Sequence, residues 1–437
     1  MSGMPSASHA RKTRAAVTLG VASLGLLVGC ASNAPSTDSP QGGSVATGGS
    51  QASAGTATAP VGGSAASAGA PAAGSTSGGT ETTGGANAAG APGLAGSATN
   101  GGMAGSPGGG TAPLPEVGTD GDGDSMVGPT YTNQKELSDQ GNPKGKSFSF
   151  TMQLASSKFF DGKDPTLTSA ASTTRGINVY VPAKYQDGTP APVLVIQDGP
   201  GQINQVSRAL DNLTIETDPL RKLPPFVVVA AQSGGGDSIG SERGLEYDTV
   251  SDKFARFIDA EVLPAVVNDA KVKAAYPGLK FTTDPSGRAA LGCSSGGVAA
   301  FTMAWLRPDL FSRAVGYSTT LVAQQNPKAP EATMYPDGAW DYHSIKELIK
   351  NDTEGREKKL RIFINANEND NGATAAESGK HNWLMANQRT AAALKAKGFH
   401  YKFIEGMGQG HCAGAVQSAT LADALIWLWR GYQPSDH

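Results

Sequence analysis

A chain of 437 residues with 58 glycines, 35 basic and 38 acidic side chains carries a formal net charge of −3. It has no basic stripe of the kind that neutralises a phosphate backbone, which argues against a nucleic-acid partner. The glycines crowd into the first third beside Ala, Ser and Thr, a mixture that buries too little apolar surface to offset the entropy of ordering it. Dense Val, Ile, Leu, Phe and Trp begin only near residue 145, leaving a length suited to one large α/β domain.

Residues 1–30 have the layout of an export signal. Arg11, Lys12 and Arg14 form a positive start, and residues 15–27 form an apolar run too short to span a bilayer. The run ends in Leu27-Val28-Gly29-Cys30, which resembles a bacterial lipobox. That likeness implies lipidation of Cys30 and a partner in the lipid bilayer. Ala31 follows where retained inner-membrane lipoproteins carry aspartate, which favours an outer-membrane or cell-surface lipoprotein. Residues 31–128 read as a Gly/Ala/Ser-rich disordered linker without a fixed repeat. Within it, Asp120, Asp122 and Asp124 imitate the start of a calcium loop. Ser125 and Tyr131 stand where such a loop needs Gly and Glu, so the stretch reads as a solvated acidic linker. The folded unit is then 129–437, with its core at about 146–433.

Strands are predicted at 146–154, 177–182, 193–197 and 226–232, the last two as continuous apolar runs of buried-strand length. Between 247 and 267 the residues Val250, Phe254, Phe257, Ile258, Val262, Leu263 and Val266 define one helical face. A strand at 288–292 precedes a helix-like GGVAAFTMAWL. A strand at 360–368, a helix at 382–398, a strand from 400 and a final helix complete the pattern. Such alternation predicts an α/β fold with a mostly parallel central sheet and helices on both faces.

Gly292-Cys293-Ser294-Ser295-Gly296 matches G-x-S-x-G between a strand and a helix. A sharp strand-to-helix turn needs glycine two positions either side of the exposed residue, and that spacing selects Ser294 over Ser295 as nucleophile. A serine needs a base. Of six histidines, His343, His381 and His400 fall in a long loop, at a helix start and at a strand start. His411 lies in GMGQGHCAG, after the last strand, where this architecture puts its general base and acid. The orienting acid belongs after the preceding strand. Asp370 is preferred, with Glu368 the alternative on the strand itself; the acid fixes the imidazole tautomer. The oxyanion needs backbone donors. One is Ser295 N–H. The other comes from the loop Asp198-Gly199-Pro200-Gly201, where Pro200 has no N–H, leaving Gly201 or Gly199.

The segments RGINVYVPAKYQDGTPAPVLVIQDG, SERGLEYDTVSDKFARFIDAEVLPAVV, GCSSGG, PDLFSRAVGYS and NWLMANQRTAAALKAKGFHYKFIEGMGQGHC resemble the esterase D superfamily of α/β hydrolases, in its enterochelin esterase-like branch. The likeness covers nearly all of 146–433 and puts Ser294, Asp370 and His411 at the positions of the family's triad. It implies serine ester hydrolysis without cofactor or metal and leaves the substrate open. The family includes feruloyl and acetylxylan esterases, siderophore esterases and mycolyltransferases. The residue after Gly199 departs from the family's usual loop.

Three cysteines are present. If Cys30 is lipidated, Cys293 and Cys412 remain, each beside a triad residue, and export favours disulfides. Bringing Ser294 to His411 brings their neighbours within disulfide range, so a Cys293–Cys412 bridge is expected. Its long loop is worth about 5 kcal/mol in the chain-entropy model. The Cys-Ser, Asp, His-Cys order is similar to that of tannases and fungal feruloyl esterases, but the interval from 294 to 370 is too short for their lid.

Loops at 232–244 and 319–342 follow strand ends, where open α/β sheets bind ligands. Tyr335 and Trp340 could line an aryl or sugar pocket, and Arg243 and Glu246 could meet a polar ester or form an ion pair. The reading is a membrane-tethered carboxylic-ester hydrolase acting on small-molecule or polysaccharide esters of the feruloyl or acetyl type. The alternatives are a siderophore lactone esterase, an acyltransferase and a non-catalytic binding module.

Overall fold

The structure, a computed structural model, describes residues 121–434. The export signal, Cys30 and the predicted linker up to residue 120 lie outside the described residues. The strands are β1 (Gly123–Val127), β2 (Lys146–Gln153), β3 (Thr174–Val181), β4 (Pro190–Ala191), β5 (Val193–Ile196), β6 (Val227–Ala231), β7 (Lys280–Phe281), β8 (Arg288–Cys293), β9 (Arg313–Tyr317), β10 (Arg361–Asn369) and β11 (His400–Gly410). The helices are α1 (Ile203–Leu213), α2 (Glu242–Tyr247), α3 (Lys253–Phe257), α4 (Leu263–Asn268), α5 (Ala270–Ala275), α6 (Ser295–Leu306), α7 (Trp383–Ala396) and α8 (Gly414–Trp429).

One sheet runs in the order β1-β11-β10-β9-β8-β5-β6-β3-β2, and β4 pairs separately with β7. Within the large sheet β3 alone runs against its neighbours β2 and β6. Side chains alternate faces along a strand, and here both faces are buried. Val193 and Val195 join one core layer with Phe257, Phe301 and Leu394. Leu194 and Ile196 join the opposite layer, with Val206 and Leu210 of α1 and Leu421 and Leu425 of α8. That is why β5 and β6 read as unbroken apolar runs.

The helix predicted across 247–267 is broken into α3, a π-helical turn at Ile258–Val262, and α4. Leu263 N–H donates to Ile258 O, five residues back. Pro264 has no N–H, and its ring crowds the carbonyl four residues earlier, so the wider turn is the accommodation. The predicted apolar face stays buried throughout.

The linker boundary at 128 is corrected. Residues 123–127 form β1 at the sheet edge, parallel to β11, with Gly123 opposite Lys402 and Val127 opposite Gly406. The side chain of Asp122, read as solvated, is fully buried. Its Oδ2 accepts from His400 Nδ1 at 2.7 Å and its Oδ1 from Trp427 Nε1 at 3.0 Å, with Arg361 3.9 Å away. The acidic composition suggested solvent because its partners lie at the other end of the chain.

Burial opposes the charge on Asp122, but His400, then Arg361 and Trp427, outweigh it and hold the carboxyl below its ordinary range. A carboxyl depressed by folding contributes stability present above its unfolded pKa and lost as pH falls through the folded value. Asp122→Asn is therefore expected to lower the unfolding free energy by about 2 kcal/mol at neutral pH. In urea titrations the gap should shrink below about pH 4; an equal gap at both pH values would contradict the assignment.

Candidate active site

β8 ends at Cys293 and α6 begins at Ser295, which leaves Ser294 as the turn between them. Its backbone has φ 58° and ψ −129°, a conformation that costs a non-glycine residue energy. A Cβ on Gly292 would lie 2.3 Å from the carbonyl of Gly296, and one on Gly296 would lie 3.0 Å from Asp198 Oδ2. Position 292 therefore needs glycine, for the steric reason that the spacing suggested, whereas a side chain at Gly296 would press on the loop after β5. Ser294 N–H donates to Tyr317 O at 2.9 Å, and its carbonyl accepts from Gly297 N–H at 2.9 Å. The half-buried Ser294 hydroxyl lies 3.5 Å from that of Thr320.

The neighbouring serine is in a different environment. Ser295 is fully buried, and its hydroxyl accepts from Gln324 Nε2 at 3.2 Å. Burial pushes the carboxyl of Asp248 up to about 7, partly offset by hydrogen bonds from Ser295 and Gln324. The Ser295 side chain is thus committed to the interior, and its backbone amide opens α6.

Asp370 follows β10 and is buried. Its Oδ1 accepts from His411 Nδ1 at 2.6 Å and from Asn371 N–H at 2.9 Å. Its Oδ2 accepts from the Ser318 hydroxyl at 2.8 Å and from Asn367 N–H at 3.0 Å. Burial opposes the charge, yet the bonds from His411, Ser318 and Asn367 hold the carboxyl below its ordinary range. Glu368, the alternative acid, is exposed and accepts from Gly408 N–H at 2.7 Å. The ring of His411 sits edge-on to Trp383, with centroids 5.9 Å apart. His343 Nε2 is 2.9 Å from Leu321 O, His381 Nδ1 is 2.6 Å from Gly379 O, and His400 serves Asp122.

The sulfurs of Cys293 and Cys412 are joined, with Cα atoms 6.0 Å apart across a sequence separation of 119. The Ser294 turn and the loop after β11 are therefore in contact beside Ser294 and His411.

In the loop after β5, Gly199 N–H donates to Ala231 O at 2.8 Å and is committed to the sheet. That leaves Gly201, which is exposed and would accept a Cβ without contact. Asp198, also in this loop, takes Nε and Nη2 of Arg243 at 2.7 and 2.9 Å.

For Arg243 and Glu246 the ion-pair alternative holds, with Asp198 and Arg175 as partners, and the pocket expectation for Trp340 is corrected. Glu246 is fully buried, pairs with Arg175 and accepts from Gly234 N–H at 3.0 Å, so it holds the fold and meets no ester. Trp340 is buried against His343 and Arg389 and belongs to the core, whereas Tyr335 is half-buried. Sequence reasoning missed Ser318, Thr320, Gln324 and Trp383. Thr320 accepts from Trp383 Nε1 at 3.2 Å, which links the aromatic ring to the Ser294 turn. The position of YSTT after a parallel strand was the available signal. Among the described residues, no group of three or more His, Cys, Asp or Glu is placed to hold a metal ion.

The sequence profile of the family described as "Putative esterase" matches residues 168–427. No curated protein matches significantly. Among solved structures, a ferulic acid esterase is 18% identical with a TM-score of 0.45, over 66% of this chain and 98% of its own. The enterobactin esterase of Shigella flexneri, solved with 2,3-dihydroxy-N-benzoyl-serine, is 18% identical with a TM-score of 0.41, over 66% of this chain and 60% of its own. A variant feruloyl esterase module from Clostridium thermocellum, complexed with sinapinate, is 17% identical with a TM-score of 0.42, over 72% and 98%.

Proposed function

The chain belongs to the esterase family, and on that premise we propose that it is an exported, membrane-tethered serine esterase with Ser294 as nucleophile, His411 as general base and acid, and Asp370 as orienting acid. Carboxylic-ester hydrolysis itself follows from the family. The observation that supports the residue roles is the 2.6 Å Asp370–His411 bond carried on a loop joined by sulfur to the Ser294 turn.

In this scheme Asp370 holds the imidazole with Nδ1 protonated, leaving Nε2 as the base. His411 takes the Ser294 proton as Oγ attacks the ester carbonyl. Negative charge collects on the carbonyl oxygen, which accepts from Ser295 N–H and Gly201 N–H; one such donor is worth about 3 kcal/mol in the transition state. His411 then returns the proton to the departing alcohol. Water, activated by the same histidine, releases the acid from Ser294. Protein groups and water suffice for every step.

Charge favours a neutral substrate. Arg243 is neutralised by Asp198 at 2.7 Å, and Lys380, beside the loop after β9, by Asp337 at 2.6 Å. A polyanionic siderophore would find these cations already engaged, whereas acetylated or feruloylated carbohydrate esters need none. An acyltransferase would differ only in replacing water by an alcohol.

Hydrolysis of p-nitrophenyl acetate is expected to fall about 10⁴-fold or more in Ser294→Ala and to persist in Ser295→Ala; the reverse pattern would overturn the assignment of the turn. A panel of acetyl, feruloyl, glucuronoyl and siderophore esters should show turnover of the neutral carbohydrate-linked or aryl members. Preference for the siderophore lactone would contradict the charge argument.

The Cys293–Cys412 bridge is proposed to be closed in the exported protein. Mass spectrometry should find these thiols alkylated only after reduction, and reduction should cost about 2–5 kcal/mol of stability. Two freely alkylated thiols before reduction would sink the bridge. Cys30 is proposed as the lipidated residue. Cys30→Ser should move the protein from the membrane fraction to the soluble one, and unchanged membrane association would refute the anchor.

A further inference from the structure

Ser318 directly follows β9, fully buried, with φ 42°. This is the left-handed region, where glycine would be at ease and a serine is strained. What the serine supplies there is its hydroxyl, and the bonding capacity of that hydroxyl is used completely. It donates to Asp370 Oδ2 at 2.8 Å and accepts from Cys412 N–H at 2.8 Å and from Asn367 Nδ2 at 3.3 Å. One donor and two acceptor sites are all that a hydroxyl has.

A single oxygen therefore joins three strand ends: β9, the acid turn after β10, and the loop after β11 at the residue following His411. The backbone N–H of Ser318 donates to Asn365 Oδ1 at 3.1 Å, which fixes the hydroxyl from its own side. With Oδ2 held by Ser318 and Asn367 N–H, the carboxylate cannot turn, and Oδ1 faces His411 Nδ1. The bond to Cys412 N–H fixes the histidine loop against the same point. Cys412 itself has φ 52°, so this loop also is held away from relaxed backbone geometry.

We propose that Ser318 is a positioning residue for the triad, its hydroxyl setting both the rotation of the Asp370 carboxylate and the placement of the loop that carries His411. The proposal rests on the roles assigned above to Ser294, Asp370 and His411. Ser318 touches no reacting atom and acts through Asp370 and through the loop that carries His411. Removing the hydroxyl leaves Asp370 Oδ2 held by Asn367 N–H alone and the Cys412 N–H without its acceptor.

The test is a double-mutant cycle on kcat and KM for p-nitrophenyl acetate, with thermal unfolding recorded for each variant. Ser318→Ala is expected to lower kcat about tenfold or more with KM little changed. In an Asp370→Ala background the same substitution should cost distinctly less, because the route through the carboxylate is gone and only the bond to the histidine loop remains. Ser318→Gly, which removes hydroxyl and strain together, should show the same kcat loss at a stability equal to or above that of Ser318→Ala; it carries the test if the alanine variant does not fold. Equal losses in both backgrounds, or parent-like kcat in Ser318→Ala beside inactive Ser294→Ala and Asp370→Ala, would overturn this proposal alone. If Ser294→Ala and Asp370→Ala retain activity, the triad assignment fails and this proposal falls with it.

Discussion

The strained backbone of Ser294 is the constraint on which the rest of the site depends. Its N–H is held by Tyr317, its carbonyl by the start of α6, and the turn closes so tightly that Gly292 and Gly296 all but touch. Nothing in the turn itself favours this geometry. It persists because β8 and α6 are anchored independently, the strand between β5 and β9 and the helix by Val298 and Phe301 in the core. The strain is thus offset by packing elsewhere, as over-determined functional turns require.

Parallel strands then bring distant residues together. β8, β9, β10 and β11 all point the same way, so Ser294, Ser318, Asp370 and His411 emerge along one edge of the sheet. Each sits just past a strand end. The joined sulfurs of Cys293 and Cys412 and the Ser318 hydroxyl cross-link this edge at two levels. Buried carboxylates near it differ in charge for a reason that can be counted. Asp370 has four donors and stays ionised. Asp248 has bonds from Gln324 and Ser295 and an unpartnered Oδ1, and burial raises it to about 7. Glu246, although paired with Arg175, is also raised to about 7 by its complete burial. Donor number and burial together decide which carboxyl can serve as a fixed anion.

Sequence reasoning located the Ser294 turn because its requirement is local: two glycines and a strand-helix boundary lie within a few residues. It preferred Asp370 to Glu368 because a strand end is visible in composition, and the structure places Asp370 against His411 and leaves Glu368 exposed. It named Gly201 and Gly199 together, since the bond that engages Gly199 N–H with Ala231 O depends on sheet pairing. β1 was misread for the same kind of reason. A Gly-Asp stretch looks solvated until its buried partners His400, Trp427 and Arg361 are known. The π turn was hidden because the apolar spacing of the helix survives it, and Ser318 because an ordinary serine carries no mark of a left-handed backbone.

The central claim is that Ser294, rather than its neighbour, is the activated nucleophile. Labelling the protein with a fluorophosphonate and mapping the modified peptide tests this directly, since the reagent phosphonylates a serine only where a base and an oxyanion site act together. The account predicts stoichiometric modification at Ser294, abolished by His411→Ala. Modification at Ser295, or none under conditions where the protein hydrolyses esters, would contradict it.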